Sequence, residues 1–485
     1  MINFKINTKK KHEISPYLYM QFMEPLSSTD SSVDAAWDYM KNEWYPSVIE
    51  TTRDLAPTMI RYGGCFASYY HWKEAVGPRE SRKPLINYCW GGVFSNQVGT
   101  HELVDFCRKV GAEPLIVANM ESEGIKEWQY PADGTVRIGT AEEAAEWVDY
   151  CNNPDNALRI QNGERDPLNV KYWQIGNETS YGAFTYNSDR HSAFELEECF
   201  EATERFAAAM RAKDPTIKLI GWGDRKTYGE GGDWCKRMSE AEGIDMLAFH
   251  HHFGSGLPNS PLRGTKYHDD VENTWLHLMN AYKSLGDDID RMRADRGNKR
   301  LAMTEGHFAI PGRNRNEVLS SWGAGVAYAR CLNVIMRNSD VLDIATMADF
   351  FGNVWQVNAM LIPTPIRMGK PYLQPVGSVM RLFGRYQGKF ALDIDYNGAI
   401  DAVASATDNT VYLHIANTDM NYAQEISLDL PENVIDGEIC YIAQHPAVEI
   451  TPDFSDVFTP VTEKLVGKKF TLPPAAVAAV KIVLA

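Results

Sequence analysis

Val170-Lys171-Tyr172-Trp173-Gln174-Ile175-Gly176-Asn177-Glu178 is the stretch on which the reading of this chain turns. Val170, Tyr172, Trp173 and Ile175 are β-branched or aromatic, the side chains that fit a buried pleated surface. Pro167 and Asn169 mark where the run begins, and Gly176 lets the backbone bend where it ends. The segment reads as a strand that delivers Asn177 and Glu178 at its C-terminal end. Parallel α/β barrels place their chemistry at that end. A lone Glu there is usually a solvated or capping carboxylate, so its meaning depends on a partner elsewhere.

Seven similar apolar runs accompany it. The eight cover residues 18–23, 58–62, 114–118, 170–175, 217–222, 244–250, 300–304 and 341–347, with helical periodicity between them, as at 101–110, 141–151, 193–212 and 322–337. Strand–helix alternation predicts a parallel sheet. Eight units over this length predict an α/β fold of the (β/α)8 TIM-barrel type, spanning residues 15–371. No G-x-G-x-x-G follows the first strand, which argues against dinucleotide binding. Polar residues cluster after most of the runs: Glu24, Arg61, Asn119, Asn177-Glu178, His250-His251-His252, Glu305 and Asp349. Two long connections, 66–98 and 253–275, lie on the same side and are placed to shape a pocket.

After about residue 372 the pattern changes to short alternating runs at 400–406, 410–415, 425–430, 439–443, 469–472 and 477–484. Asn397-Gly398, Asp408-Asn409 and Asp436-Gly437 read as turns between them. Residues 372–485 are expected to form a C-terminal β-sandwich. The alternating N-terminal segment 1–14 is expected to be an edge strand that joins it.

The chain has 485 residues and a net charge of −16. An acidic surface without basic clusters argues against nucleic-acid binding. No apolar run nears the ~20 residues of a membrane span, and the N-terminus lacks the apolar core of a secretion signal. A cytoplasmic protein is expected, with no membrane partner. The eight cysteines are scattered without zinc spacing and read as free thiols.

Leu301-Ala302-Met303-Thr304-Glu305-Gly306 repeats the logic of the opening stretch, an apolar strand that runs into Glu and then Gly, three units later. Carboxylates from strands four and seven of a barrel can meet across its mouth. Such a pair suits glycoside hydrolysis, in which one acid protonates the leaving oxygen and one carboxylate attacks the anomeric carbon. Asn177 beside Glu178 can bond a sugar hydroxyl. In the histidine run, strand alternation puts only His250 and His252 on one face. A catalytic metal usually takes three protein ligands, so no metal or other cofactor is expected. Arg61 is placed to brace carboxylates.

The motifs Ile60-Arg61-Tyr62-Gly63-Gly64-Cys65-Phe66, Gly77-Pro78-Arg79, Gly111-Ala112-Glu113-Pro114-Leu115, Trp147-Val148-Asp149-Tyr150-Cys151-Asn152 and Gly176-Asn177-Glu178 are distinctive together. Through them the chain resembles the α-L-arabinofuranosidases of glycoside hydrolase family 51, over nearly its whole length. The resemblance implies a retaining glycosidase with Glu178 as general acid/base and Glu305 as nucleophile. It implies substrate contacts from Glu24, Cys65, Trp90, Asn177, His250, His252 and Gln356, a carbohydrate substrate, and assembly into homo-oligomers. Four positions depart from the family pattern: Cys65 for Asn, His252 for Tyr, and Thr304 and Gly306 for the Asp and Trp of Asp-Glu-Trp. These bear on the sugar more than on the chemistry, so a galactofuranosidase, an endo-glucanase or xylanase, and a non-catalytic carbohydrate-binding barrel stay as alternatives.

Overall fold

The computed structural model describes residues 1–122, 138–181, 194–224, 234–309 and 316–485. Residue 193, the expected start of one helix, lies outside them.

All eight expected barrel strands form. They are β1 (Gln21–Met23), β2 (Met59–Tyr62), β3 (Glu113–Ala118), β4 (Tyr172–Ile175), β5 (Lys218–Trp222), β6 (Met246–Phe253), β7 (Arg300–Phe308) and β8 (Leu342–Ala345). Each pairs in parallel with the next, from β1 through β8. The ring closes where Tyr17, just before β1, bridges Ile344 in parallel, with Ala345 donating to the Tyr17 carbonyl and Met20 to the Ala345 carbonyl. The result is an α/β barrel-like unit. Its strands are buried on both faces, which is why they read as nearly unbroken apolar runs.

β6 and β7 are longer than expected, so Glu305 lies within its strand rather than at the end. Their pairing slips between Phe249 and His250: Phe249 faces Met303 but His250 faces Glu305. Thr304 is the extra residue of a bulge, a device that re-aims side chains beside functional sites.

Beyond β8 the structure departs from the expectation of strands alone. Short strands at Asp349–Gly352 and Asn358–Leu361 extend the barrel sheet. A helix, Pro375–Arg385, follows. Its Pro at the first turn and its buried Val376, Val379, Met380, Leu382 and Phe383 are a helical signature that the change of pattern at 372 obscured. Arg381 and Arg385 tie it to Asp54 of the helix Pro46–Leu55, between β1 and β2.

The strands after this helix join the N-terminal strand in a nine-stranded sheet with its own apolar core. Ile2–Asn7 is interior to it and not an edge strand. It pairs antiparallel with Phe390–Asp395 and parallel with Gln424–Asp429, burying Ile2, Phe4 and Ile6. Asp436-Gly437 is not a turn. It lies inside Val434–Ile442, where the register slips. The sheet is fastened to the barrel helix Trp322–Arg337: Trp322 Nε1 donates to the Ala475 carbonyl at 2.7 Å, and Asn333 Nδ2 donates to Asp401 at 2.9 Å. No described helix is long and apolar enough to cross a membrane.

Candidate active site

Glu178 follows β4 in the left-handed backbone region, at φ 48°, two residues after Gly176 at φ 72°. Glycine adopts that conformation freely, whereas a glutamate there carries strain of roughly 1–3 kcal/mol, which clusters at functional sites. A side chain on Gly176 would also meet Thr179 and Met120, at 2.6 and 3.2 Å. The turn directs Glu178 inward, where its Oε1 sits 2.9 Å from His250 Nδ1.

Glu305 reaches the same histidine from β7, its Oε2 3.5 Å from His250 Nδ1. One oxygen of each carboxylate and one His250 nitrogen lie within 4.8 Å of one another. The bulge lets consecutive residues address one ring, because Thr304 Oγ1 holds the other His250 nitrogen at 2.9 Å. Trp222 packs edge-on against that ring, with centroids 4.7 Å apart.

Beneath the pair lies Arg61, fully buried. Its Nη1 donates to Glu305 Oε1 at 2.9 Å, its Nη2 to Asn177 Oδ1 at 2.5 Å, and its Nε to Gln174 Oε1 at 2.9 Å. A buried carboxylate resists ionisation, and burial raises the Glu305 pKa. His250 and Arg61 pull it back down, and Glu178 adds a push upward.

Glu24 forms the opposite wall. Its Oε1 accepts from the Phe66 backbone at 2.8 Å and from Trp90 Nε1 at 2.9 Å. Gly64 makes room for it, since a Cβ there would sit 2.4 Å from Glu24 Oε2. Burial first, and then Glu305, raise the Glu24 pKa well above the usual range. Cys65 is buried near Glu24 and Glu178, and burial, its neighbour Cys89, Glu24 and Glu178 all push its thiol up. Such a thiol is not a ready nucleophile. All eight cysteines are free.

The histidine run separates as strand alternation requires. His251 points away, to Asp288 at 2.7 Å. His252 lies on the pocket side, its Nε2 3.8 Å from Glu305 Oε2, and is partly exposed. Gln356 sits further out, accepting from the Asn316 backbone at 3.1 Å. Its neighbour Trp355 meets Trp90 edge-on at 5.4 Å, forming an aromatic corner at the mouth.

Gln174, His307 and Trp355, and the contact of Thr304 with His250, have no role assigned from the sequence. Gln174 carried a signal, as a polar residue inside an apolar strand. The others depend on the bulge and on loop packing, which a single sequence does not display.

Glu178, His250 and Glu305 are also the donor set that a divalent cation would select among the described residues. Arg61 already supplies Glu305 with positive charge, and a cation would have to compete with it.

Residues 51–270 match the family model described as the alpha-L-arabinofuranosidase 1 domain. Alpha-L-arabinofuranosidase C of Emericella nidulans is 36% identical over 185 residues, 37% of this chain and 32% of that protein. The match thus spans about a third of the length of that curated relative. An intracellular exo-alpha-L-arabinofuranosidase of Bacteroides ovatus is 26% identical over 427 residues, covering 79% of this chain and 74% of its own. Among solved structures, the GH51 arabinofuranosidase of Xanthomonas axonopodis pv. citri superimposes with a TM-score of 0.79 at 20% identity, over 99% of both chains. At that identity the likeness establishes a shared fold.

Proposed function

Because the chain belongs to a glycoside hydrolase family 51 arabinofuranosidase-like family, we propose that it is a retaining α-L-arabinofuranosidase. Its substrates on this reading are arabinose-containing plant polysaccharides or oligosaccharides. Glu305 attacks the anomeric carbon while Glu178 gives its proton to the leaving oxygen. A glycosyl–Glu305 ester forms, and Glu178 then takes a proton from water as that water hydrolyses the ester. Retaining glycosidases hold their two carboxyl groups about 5–5.5 Å apart, whereas inverting ones need ~6.5–9.5 Å for an intervening water. The observation that carries the reading is the approach of Glu178, His250 and Glu305 atoms within 4.8 Å.

His250 serves both steps. Its Nδ1 shares a proton with Glu178, and Thr304 Oγ1 can donate to or accept from Nε2, so either tautomer is accommodated. Arg61 orients Glu305 and Asn177 together. Glu24, Cys65, Trp90, Asn177, His252 and Gln356 are the proposed sugar-binding residues. The protein requires no cofactor in this scheme. We take residues 15–371 as the catalytic unit and 372–485 with strand 1–14 as a β-sandwich, supported by the separate apolar core of the nine-stranded sheet.

Cys65 and His252 favour a second reading with the same chemistry and another furanose, such as galactofuranose. Hydrolysis of 4-nitrophenyl α-L-arabinofuranoside, β-D-galactofuranoside, β-D-glucopyranoside and β-D-xylopyranoside separates the two. The arabinofuranoside is expected to be the best substrate. Equal, negligible rates for wild type and Glu305→Gln on all four would leave only a carbohydrate-binding barrel.

A further inference from the structure

Next to Glu305, His252 leads to two side chains, His307 and Asp349, that the scheme above does not use. His252 Nε2 stands 3.8 Å from Glu305 Oε2, whereas Arg61 contacts Oε1. The His252 ring rests against that of His307, with centroids 4.5 Å apart and the rings inclined by 46°. His307 Nδ1 sits 2.7 Å from the Phe308 carbonyl. A carbonyl only accepts, so Nδ1 carries the proton there. Burial lowers the His307 pKa, which keeps the ring neutral and leaves Nε2 as a lone pair. Asp349 Oδ1 is 3.8 Å from that lone pair and has no hydrogen-bond partner among the described residues. Burial, with Asp30 nearby, pushes the Asp349 carboxyl up to about 8. At neutral pH it is an O–H donor facing an acceptor. A shift of roughly 1 Å brings the two to normal hydrogen-bond length.

We propose that Asp349 and His307 are positioning residues for the nucleophile: Asp349 orients His307, and His307 holds the His252 ring against Glu305 Oε2. The pair adds no charge to a pocket that already holds three carboxylates, Glu24, Glu178 and Glu305. It would fix from one side an oxygen that Arg61 does not touch. Positioning of this kind acts on the chemical step, since small displacements of a reacting group cost rate more than binding. The inference rests on Glu305 being the nucleophile.

The full-length protein tests it through three variants assayed on 4-nitrophenyl α-L-arabinofuranoside. Asp349→Leu and His307→Phe keep the volume and lose the donor or the acceptor. Each is expected to lower kcat about 10-fold with KM within about 2-fold. Asp349→Asn, a neutral donor of the same shape, is expected to recover most of the lost kcat. Unchanged kcat in both apolar variants overturns the proposal. So does an Asn variant that falls as far as the Leu variant, because it would require an anion at 349. The ¹⁵N-histidine NMR spectrum gives a reading that needs no substrate. His307 is expected as the Nδ1–H tautomer in wild type and in Asp349→Asn, and an Nε2–H or doubly protonated His307 contradicts the pair. If the wild type hydrolyses no furanoside, the proposed function fails, while the NMR outcome still decides the Asp349–His307 interaction.

Discussion

Two buried glutamates in this molecule meet arginine, and they are treated differently. Glu102 opens the helix Thr100–Val110, and four donors close around its two oxygens. Arg79 and Arg82 reach Oε1 at 2.7 and 3.2 Å, while Arg82 and the Gly99 backbone reach Oε2 at 3.0 and 2.9 Å. Glu305 receives a single guanidinium contact on Oε1, and its Oε2 faces two imidazoles at 3.5 and 3.8 Å. A carboxylate whose lone pairs are all engaged holds loops to a helix. One held by a single oxygen keeps the other available to attack. The contrast lies in how many donors saturate the group, because both are buried and both are paired.

Exchanging each glutamate for its amide breaks the comparison most sharply. Glu305→Gln is expected to lower kcat by about 10⁴-fold or more and to leave the melting temperature within a few degrees. Glu102→Gln is expected to do the reverse. Disrupting a buried ion pair costs about 3–5 kcal/mol, so thermal unfolding should fall clearly while the folded fraction keeps its kcat. If Glu102→Gln were catalytically dead and fully stable, the distinction would collapse.

A smaller effect is expected in the pH profile. In the proposed scheme Glu305 must be ionised to attack, and burial raises its pKa while His250 and Arg61 lower it. The acidic limb of kcat/KM should therefore stand above the ordinary carboxylate range. In Arg61→Gln, which removes one of the lowering charges, it should move to still higher pH. A limb that stays in place would mean that Arg61 does not sense the nucleophile's charge.

The smallest effect concerns Asp349, whose carboxyl is pushed up to about 8 by burial and Asp30. A raised carboxyl binds its proton more tightly in the folded state, so its contribution is complete at low pH. That contribution is lost as pH rises from the ordinary carboxylate range toward about 8. Asp349→Asn, which cannot ionise, should therefore raise the melting temperature more at pH 8 than at pH 5. Equal shifts at the two pH values would contradict a raised Asp349.

The barrel was legible in the sequence because its strands are buried on both sides, and β-branched and aromatic residues leave a dense local signal. Glu178 and Glu305 stand out in the sequence because each follows such a run and has a glycine within two positions. The bulge at Thr304 was not legible, since one extra residue in a strand changes register without changing composition. For that reason Glu305 was expected at a strand end, while the structure has it inside β7, opposite His250. The helix Pro375–Arg385 was missed because it stands alone among strands. Ile2–Asn7 was read as an edge because alternation reports which face is buried and says nothing of how many neighbours a strand has. Arg61 was recognisable as a brace, but its three partners come from residues 113, 116 and 244 positions away, and only the fold brings them together.

In the proposed double displacement Glu305 becomes covalently bonded to the sugar. Peptide mapping by mass spectrometry of Glu178→Ala, quenched during turnover of an activated aryl α-L-arabinofuranoside, tests it directly. One pentosyl increment is expected on the peptide that contains Glu305. No covalent adduct, together with release of the inverted anomer as first product, would contradict it.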